Sequence, residues 1–162
     1  MTATRIVRPA WGQFWSSADQ LPSDADEVNT VTLNNADAAN NGVSVTNSSR
    51  VTFAYAGTYD VQFSAQLDRA SGSGTAQVDI WPAINGTAVA NSNTRVSISG
   101  PAAQAKTVAA WNWLITVTAG QYVELKWSTN DADIILHHED AQTGPTRPAI
   151  PSVIVTAVKV DP

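Results

Sequence analysis

Tyr59-Asp60-Val61-Gln62-Phe63-Ser64-Ala65-Gln66-Leu67 decides how the chain folds, because every odd position is apolar or aromatic and every even position polar. Side chains on a strand alternate between its faces, so this period of two predicts a strand with one face buried and the other solvated. Upstream, Val51-Thr52-Phe53-Ala54-Tyr55 reads as another strand. Ala56-Gly57-Thr58 between them predicts a tight hairpin or a corner, with Gly57 supplying a positive φ that other residues resist. Downstream, Ala76, Val78 and Ile80 share a face before Pro82, and Asn85-Gly86 favours a type I′ hairpin turn with Val96 and Ile98 on the returning partner. Trp111, Trp113, Ile115 and Val117 form a further one-sided strand. Ala119-Gly120-Gln121 turns it, and Val123, Leu125 and Trp127 bring it back as a second hairpin. Residues 134–136 and 153–158 complete the set, with shorter strands at Val31 and Leu33 and at Val43 and Val45. About nine or ten strands joined by short turns predict an all-β, antiparallel two-sheet sandwich.

Composition agrees. Thr, Ser, Asn, Val and Ala dominate, charged residues make up only 14%, and no segment reads as a helix. A chain of 162 residues fits one domain and is long enough to bury a core without a staple. Zero cysteines exclude a disulfide scaffold and thiol chemistry. The net charge of −5 and scattered Lys and Arg exclude a nucleic-acid surface, which needs clustered cations to displace counterions. No apolar run reaches the roughly 18 residues that would span a bilayer, and residues 1–8 lack an apolar secretion signal, so synthesis in a cytoplasm without membrane association is expected.

Two stretches read as loops. Ser71-Gly72-Ser73-Gly74 predicts an exposed hairpin tip, and residues 140–151 carry Pro145, Pro148 and Pro151, which cannot sit in a central strand. Residues 1–10 read as an N-terminal arm ahead of the domain at 11–162, which opens on an aromatic cluster of Trp11, Phe14 and Trp15.

The order of these features resembles a known family. Gly57-Thr58-Tyr59 opening an alternating strand is similar to the Gly-x-Tyr step of the trimeric jelly roll shared by complement globular heads and tumour necrosis factor. Leu114-Ile115-Thr116-Val117-Thr118-Ala119-Gly120-Gln121-Tyr122-Val123-Glu124-Leu125 resembles that family's strand–Gly–strand hairpin, and Ser152-Val153-Ile154-Val155 its closing strand. The likeness covers about residues 11–160, without the cysteines or collagen-like repeat of the complement heads. Phrases such as Ile84-Asn85-Gly86-Thr87, Asn91-Ser92-Asn93-Thr94-Arg95-Val96 and Pro148-Ala149-Ile150-Pro151-Ser152 resemble those of tailed-phage virion proteins that use this jelly roll. The resemblance implies a jelly-roll sandwich and a homotrimer packed around a threefold axis.

Catalytic chemistry finds little to stand on. Both histidines lie in His137-His138-Glu139-Asp140, where neighbours on a strand would point to opposite faces and share no metal. Asn130, Asp131 and Asp133 lack the Gly and Glu that complete a calcium loop. No Gly-x-Ser-x-Gly elbow marks a nucleophile. Paired carboxylates for glycoside hydrolysis are placed by the fold rather than by spacing, and the sequence leaves them open. No cofactor, metal or enzymatic role is therefore expected.

Aromatic residues carry more. Trp111, Trp113 and Trp127 share parity with aliphatic neighbours and read as inter-sheet core. Trp81 and Tyr122 fall out of phase with Val78, Ile80, Val123 and Leu125, so they are expected to face outward toward another subunit, a partner or a sugar. The resulting expectation is a structural virion protein, a trimeric capsid decoration (cement) protein that stabilises a phage head. Its contact residues are Trp11, Phe14, Trp15, Trp81 and Tyr122, and its partners the major capsid protein or other virion proteins. The alternative is the receptor- or carbohydrate-binding head of a phage tail fibre, reading a host surface glycan through Trp81 and the loops at Ser71–Gly74 and Ala141–Thr146.

Overall fold

The computed structural model describes residues 9–161. Strands β1 (Trp11–Ser16), β2 (Asn29–Thr30), β3 (Asn35–Ala36), β4 (Val43–Thr46), β5 (Arg50–Phe53) and β6 (Gly57–Arg69) come first. They are followed by β7 (Thr75–Ile84), β8 (Thr87–Ala88), β9 (Thr94–Ser99), β10 (Lys106–Val117) and β11 (Tyr122–Thr129). Last come β12 (Ile134–Leu136), β13 (Gln142–Thr143), β14 (Thr146–Arg147) and β15 (Val153–Lys159). No helix occurs among the described residues, so none is long and apolar enough to cross a membrane.

All pairings are antiparallel. One sheet runs β10-β6-β15-β1-β3, with β12 on β6 beyond the end of β15, and the other runs β4-β5-β11-β7-β8, with β2 on β11 and β9 on β7. The alternation in β6 does what its period dictates: Tyr59, Val61, Phe63, Ala65 and Leu67 are buried, as are Val153, Val155 and Ala157 on neighbouring β15. Their core partners in the second layer are Val78, Ile80, Val123, Leu125 and Trp127. Each such side chain withdrawn from water contributes roughly 1.5–3 kcal/mol, which is what holds the two layers together. Val31 and Leu33 join this core from irregular backbone between β2 and β3, outside the strand expected there.

The segment before β6 is a corner, because β5 and β6 lie in different sheets. Gly57 sits at φ +150°, a backbone conformation that residues with a Cβ rarely adopt, so the corner favours glycine; an added Cβ would also push aside the side-chain ends of Asp161 and Lys159, each 2.5 Å away. The buried Tyr59 donates its hydroxyl to the Tyr55 carbonyl at 3.0 Å and packs its ring 4.4 Å from that of Phe53, pinning the turn from within. Asn85 and Gly86 both adopt positive φ (48° and 84°), and the expected turn joins β7 to β8; β9 then carries Val96 and Ile98 back along Val78 and Ala76.

The second expected hairpin is not one. β10 belongs to the first sheet and β11 to the second, and the Gly120 turn between them is taken up by β5: Gly120 N–H donates to the Phe53 carbonyl at 2.8 Å and Phe53 N–H to the Gln121 carbonyl at 3.0 Å. A period of two reveals which face is buried but not which strand lies alongside, and a jelly roll alternates its layers. Ser71–Gly74 is exposed as expected, yet it too crosses between sheets, from β6 to β7, and is no hairpin tip. The proline-rich connector forms a small ribbon of β13 and β14 around a cis Gly144–Pro145 bond, its base closed by paired backbone hydrogen bonds between Glu139 and Ile150.

Candidate interaction surfaces

The outward face of the first sheet is written in three rungs by strand register. The first runs Trp11, Val158, Asp60, Leu114; the second Gln13, Thr156, Gln62, Asn112; the third Trp15, Ile154, Ser64, Ala110. Apolar groups therefore dominate the outer rungs and amides the middle one, while the β6 positions, Asp60, Gln62 and Ser64, are polar in all three. Leu114 is 68% exposed and Val158 42%, with Val108 also exposed further along β10. Asp60 sits within this surface and accepts hydrogen bonds from the Gln62 and Asn112 amides at 2.9 and 3.1 Å. Trp11 and Trp15, two of the expected contact residues, lie here half-buried.

Phe14 does not. β1 pairs along β15, and alternation sends Phe14 to the opposite side from Trp11 and Trp15, where it is fully buried in the core. The three aromatics are thus a strand rather than one gripping cluster, and Phe14 is unavailable to a partner. Of the arm, residues 1–8 lie outside the described residues. Ala10 is buried, and its carbonyl accepts from Lys159 N–H at 2.8 Å.

Trp127 is core, as expected, and Trp113 packs partly buried with its ring stacked 5.1 Å from Phe63. Trp111 departs from the expectation: it is 56% exposed, although its parity matches Ala109 and Ile115. β10 is the outermost strand of its sheet, and the facing layer does not extend over Trp111. Leu114 and Val108 were missed, although the signal that singled out Trp81 and Tyr122 applies to them: both are apolar and out of phase with Ala109, Ile115 and Val117.

The second sheet presents a different surface. Trp81 is half-exposed on its outward face, as the parity argument predicts, and forms the floor of an open groove of about 660 Å³ with Asp79 and Ser128. Val28 stands on one side and the segment from Ala88 to Asn93 on the other. Asp79 is gripped by Arg95 through two hydrogen bonds of 2.9 Å and by the Asn93 amide at 2.8 Å. The Arg95 contact holds the Asp79 carboxyl below the usual carboxylate range against the opposing effect of burial. Tyr122 also faces outward, but the Arg50 guanidinium lies 4.4 Å over its ring, covering one face.

The polar clusters are engaged internally. Asp131 pairs at 2.7 Å with Arg69, itself 1% exposed, and Asp133 accepts the Ser71 hydroxyl at 2.5 Å. His137 Nδ1 lies 3.1 Å from Asp19 Oδ1 and His138 Nδ1 2.9 Å from the Ile150 carbonyl oxygen. Among the described residues no three His, Cys, Asp or Glu side chains are grouped to hold a metal.

No protein-family model matches the chain, and no curated protein matches it in sequence. Among solved structures it is similar to murine APRIL, with a TM-score of 0.54 and 13% identity over 94% of this chain and 100% of that one. At that identity the likeness speaks for architecture: the chain is an all-β, two-sheet jelly roll of the tumour-necrosis-factor type.

Proposed function

We propose that the chain is a structural virion protein acting as a homotrimer, a capsid decoration protein that stabilises a phage head. The observation that carries the reading is the outward face of the first sheet, where exposed Val158 stands with Ile154, Trp11 and Trp15 on β15 and β1, and exposed Leu114 and Val108 stand on the edge strand β10 across the polar side chains of β6. Large apolar groups gathered on one face mark a contact surface, and each Å² covered is worth about 25 cal/mol. Three copies set side by side would cover this face and the β10 edge of each neighbour. The amide rung of Gln13, Gln62 and Asn112 would fix the orientation through hydrogen bonds that only one docking satisfies. The stabilisation of a shell would come from buried area, without any reaction. The virion setting rests on the phage-like phrases at 84–87, 91–96 and 148–152, and the jelly roll is the architecture those phrases imply.

Sedimentation velocity at micromolar concentration tests the assembly. A species near three times 17.1 kDa is expected, and Leu114→Asp should shift it to monomer, because a carboxylate would be desolvated in each contact. A wild-type monomer that also fails to co-sediment with phage particles refutes the proposal. The second reading, a receptor- or carbohydrate-binding head, is favoured by one observation, the groove over Trp81 on the opposite sheet.

A further inference from the structure

We propose that the Trp81 groove binds a single neutral sugar ring of a glycan, with the ring's apolar face on the indole and its hydroxyls met by Asp79, Asn91 and Ser128. The inference deepens the carbohydrate-binding reading and rests on it; it is independent of the trimer, since the groove lies on the other layer.

Three features select this ligand class. A pyranose presents a flat patch of C–H groups ringed by hydroxyls that both donate and accept, so it needs an aromatic plate bordered by mixed polar groups. Trp81 supplies the plate, and at about 660 Å³ the groove lies within the roughly 300–1,000 Å³ of small-ligand sites. Hydrogen-bonding capacity at the border is also unspent. Among the described residues the Asn91 amide, the Ser128 hydroxyl and the Trp81 indole N–H have no hydrogen-bond partner in the protein, whereas most polar side chains around them do. Asp79 Oδ2 accepts only from Arg95 and keeps a lone pair for a hydroxyl. Finally, among the described residues Asp79 is the one carboxylate lining the groove, and Arg95 pairs with it at 2.9 Å, so this charge is already matched and the groove favours an uncharged ligand.

The groove is also set before any ligand arrives. Val89 N–H donates to the Pro82 carbonyl at 3.0 Å and the Ser92 hydroxyl to the Val89 carbonyl at 2.7 Å. The Trp113 indole N–H then holds the Ser92 carbonyl at 2.9 Å, tying the wall to the first sheet. A wall fixed in this way loses little entropy on binding. Three copies on one particle would add avidity to a weak single-ring contact.

The test is a titration of the full-length, ¹⁵N-labelled protein with the methyl glycosides of glucose, galactose, mannose and N-acetylglucosamine. Trp81→Phe identifies the Trp81 indole resonance by its loss. At least one glycoside should move that resonance saturably. Trp81→Ala should weaken binding about tenfold or more, the equivalent of one lost stacking contact, and Asn91→Ala severalfold, both with an unchanged thermal midpoint. Absence of a saturable shift at Trp81 with all four overturns the site. If the protein still adsorbs to host cells and Trp81→Ala adsorbs equally well, the site is wrong and the receptor-binding reading stands; if neither shift nor adsorption appears, both fall.

Discussion

Phe14 and Trp15 are neighbours in sequence and opposites in environment, and removing each side chain in turn tests the register of β1 directly. Phe14 is fully buried, and its ring lies against Gly12, where an added Cβ would sit 2.7 Å from Phe14 Cζ. An aromatic side chain of this kind withdraws roughly 150–250 Å² from water, which at about 25 cal/mol per Å² corresponds to about 4–6 kcal/mol as an upper bound. Measured Phe→Ala costs of about 3–5 kcal/mol, cavity included, are the better guide. With a urea m-value of about 2 kcal/mol per M, Phe14→Ala should lower the unfolding midpoint by roughly 2 M. Trp15→Ala, on the outward face, should cost about 1 kcal/mol or less in the isolated protomer. Urea unfolding followed by far-UV circular dichroism, with both substitutions made in a Leu114→Asp background that holds the protein as a monomer, reads both midpoints without a contribution from association. Equal losses, or a Phe14→Ala loss below 1 kcal/mol, would refute the pairing of β1 with β15 that places one ring inside and the other out.

Other outcomes follow from the same structure. Tyr59→Phe keeps the ring and deletes the hydroxyl held by the Tyr55 carbonyl, so a loss of about 0.5–1.5 kcal/mol is expected in the same assay. Asp131→Asn removes the negative charge opposite the buried Arg69 while keeping an acceptor oxygen, and should cost about 2–3 kcal/mol, less than for a fully buried pair because Asp131 keeps contact with water. The Arg69 hydrogen bond holds the Asp131 carboxyl below its ordinary value of 3.8, so this contribution is complete above that pH and fades as pH falls through the lowered folded value. The stability gap between wild type and Asp131→Asn should therefore narrow only below about pH 4, and a gap that closes at neutral pH would contradict the assignment.

Legibility varied from residue to residue. The two layers could be read from β6 alone, since burial of one face imposes a strict period on Tyr59 through Leu67. The Asn85-Gly86 turn was equally plain, because few dipeptides tolerate two successive positive φ values. Partner choice was not legible: the Gly120 turn reads the same whether the next strand pairs with β10 or departs to the other sheet. Trp111 was misplaced for a related reason, as parity describes a strand and not the extent of the layer opposite. Phe14 was drawn into a surface cluster by its aromatic neighbours, although Gly12, Phe14 and Ser16 share one parity and Trp11, Gln13 and Trp15 the other. The outward placement of Trp81 was available from the sequence, but the groove was not, since Val28 and the segment from Ala88 to Asn93 reach it from separate parts of the chain.

One pairing also governs the route to the native state. β15 is the last strand in the order, yet it occupies the middle of its sheet, between β6 and β1. Until residues 153–159 have left the ribosome, β1 and most of β6 each present an open hydrogen-bonding edge with nothing to fill it. Joining segments about 140 positions apart makes closure slow and leaves those edges exposed in the meantime. A nascent chain halted before residue 153 is thus expected to be a substrate for chaperones or self-association, however complete its other sheet.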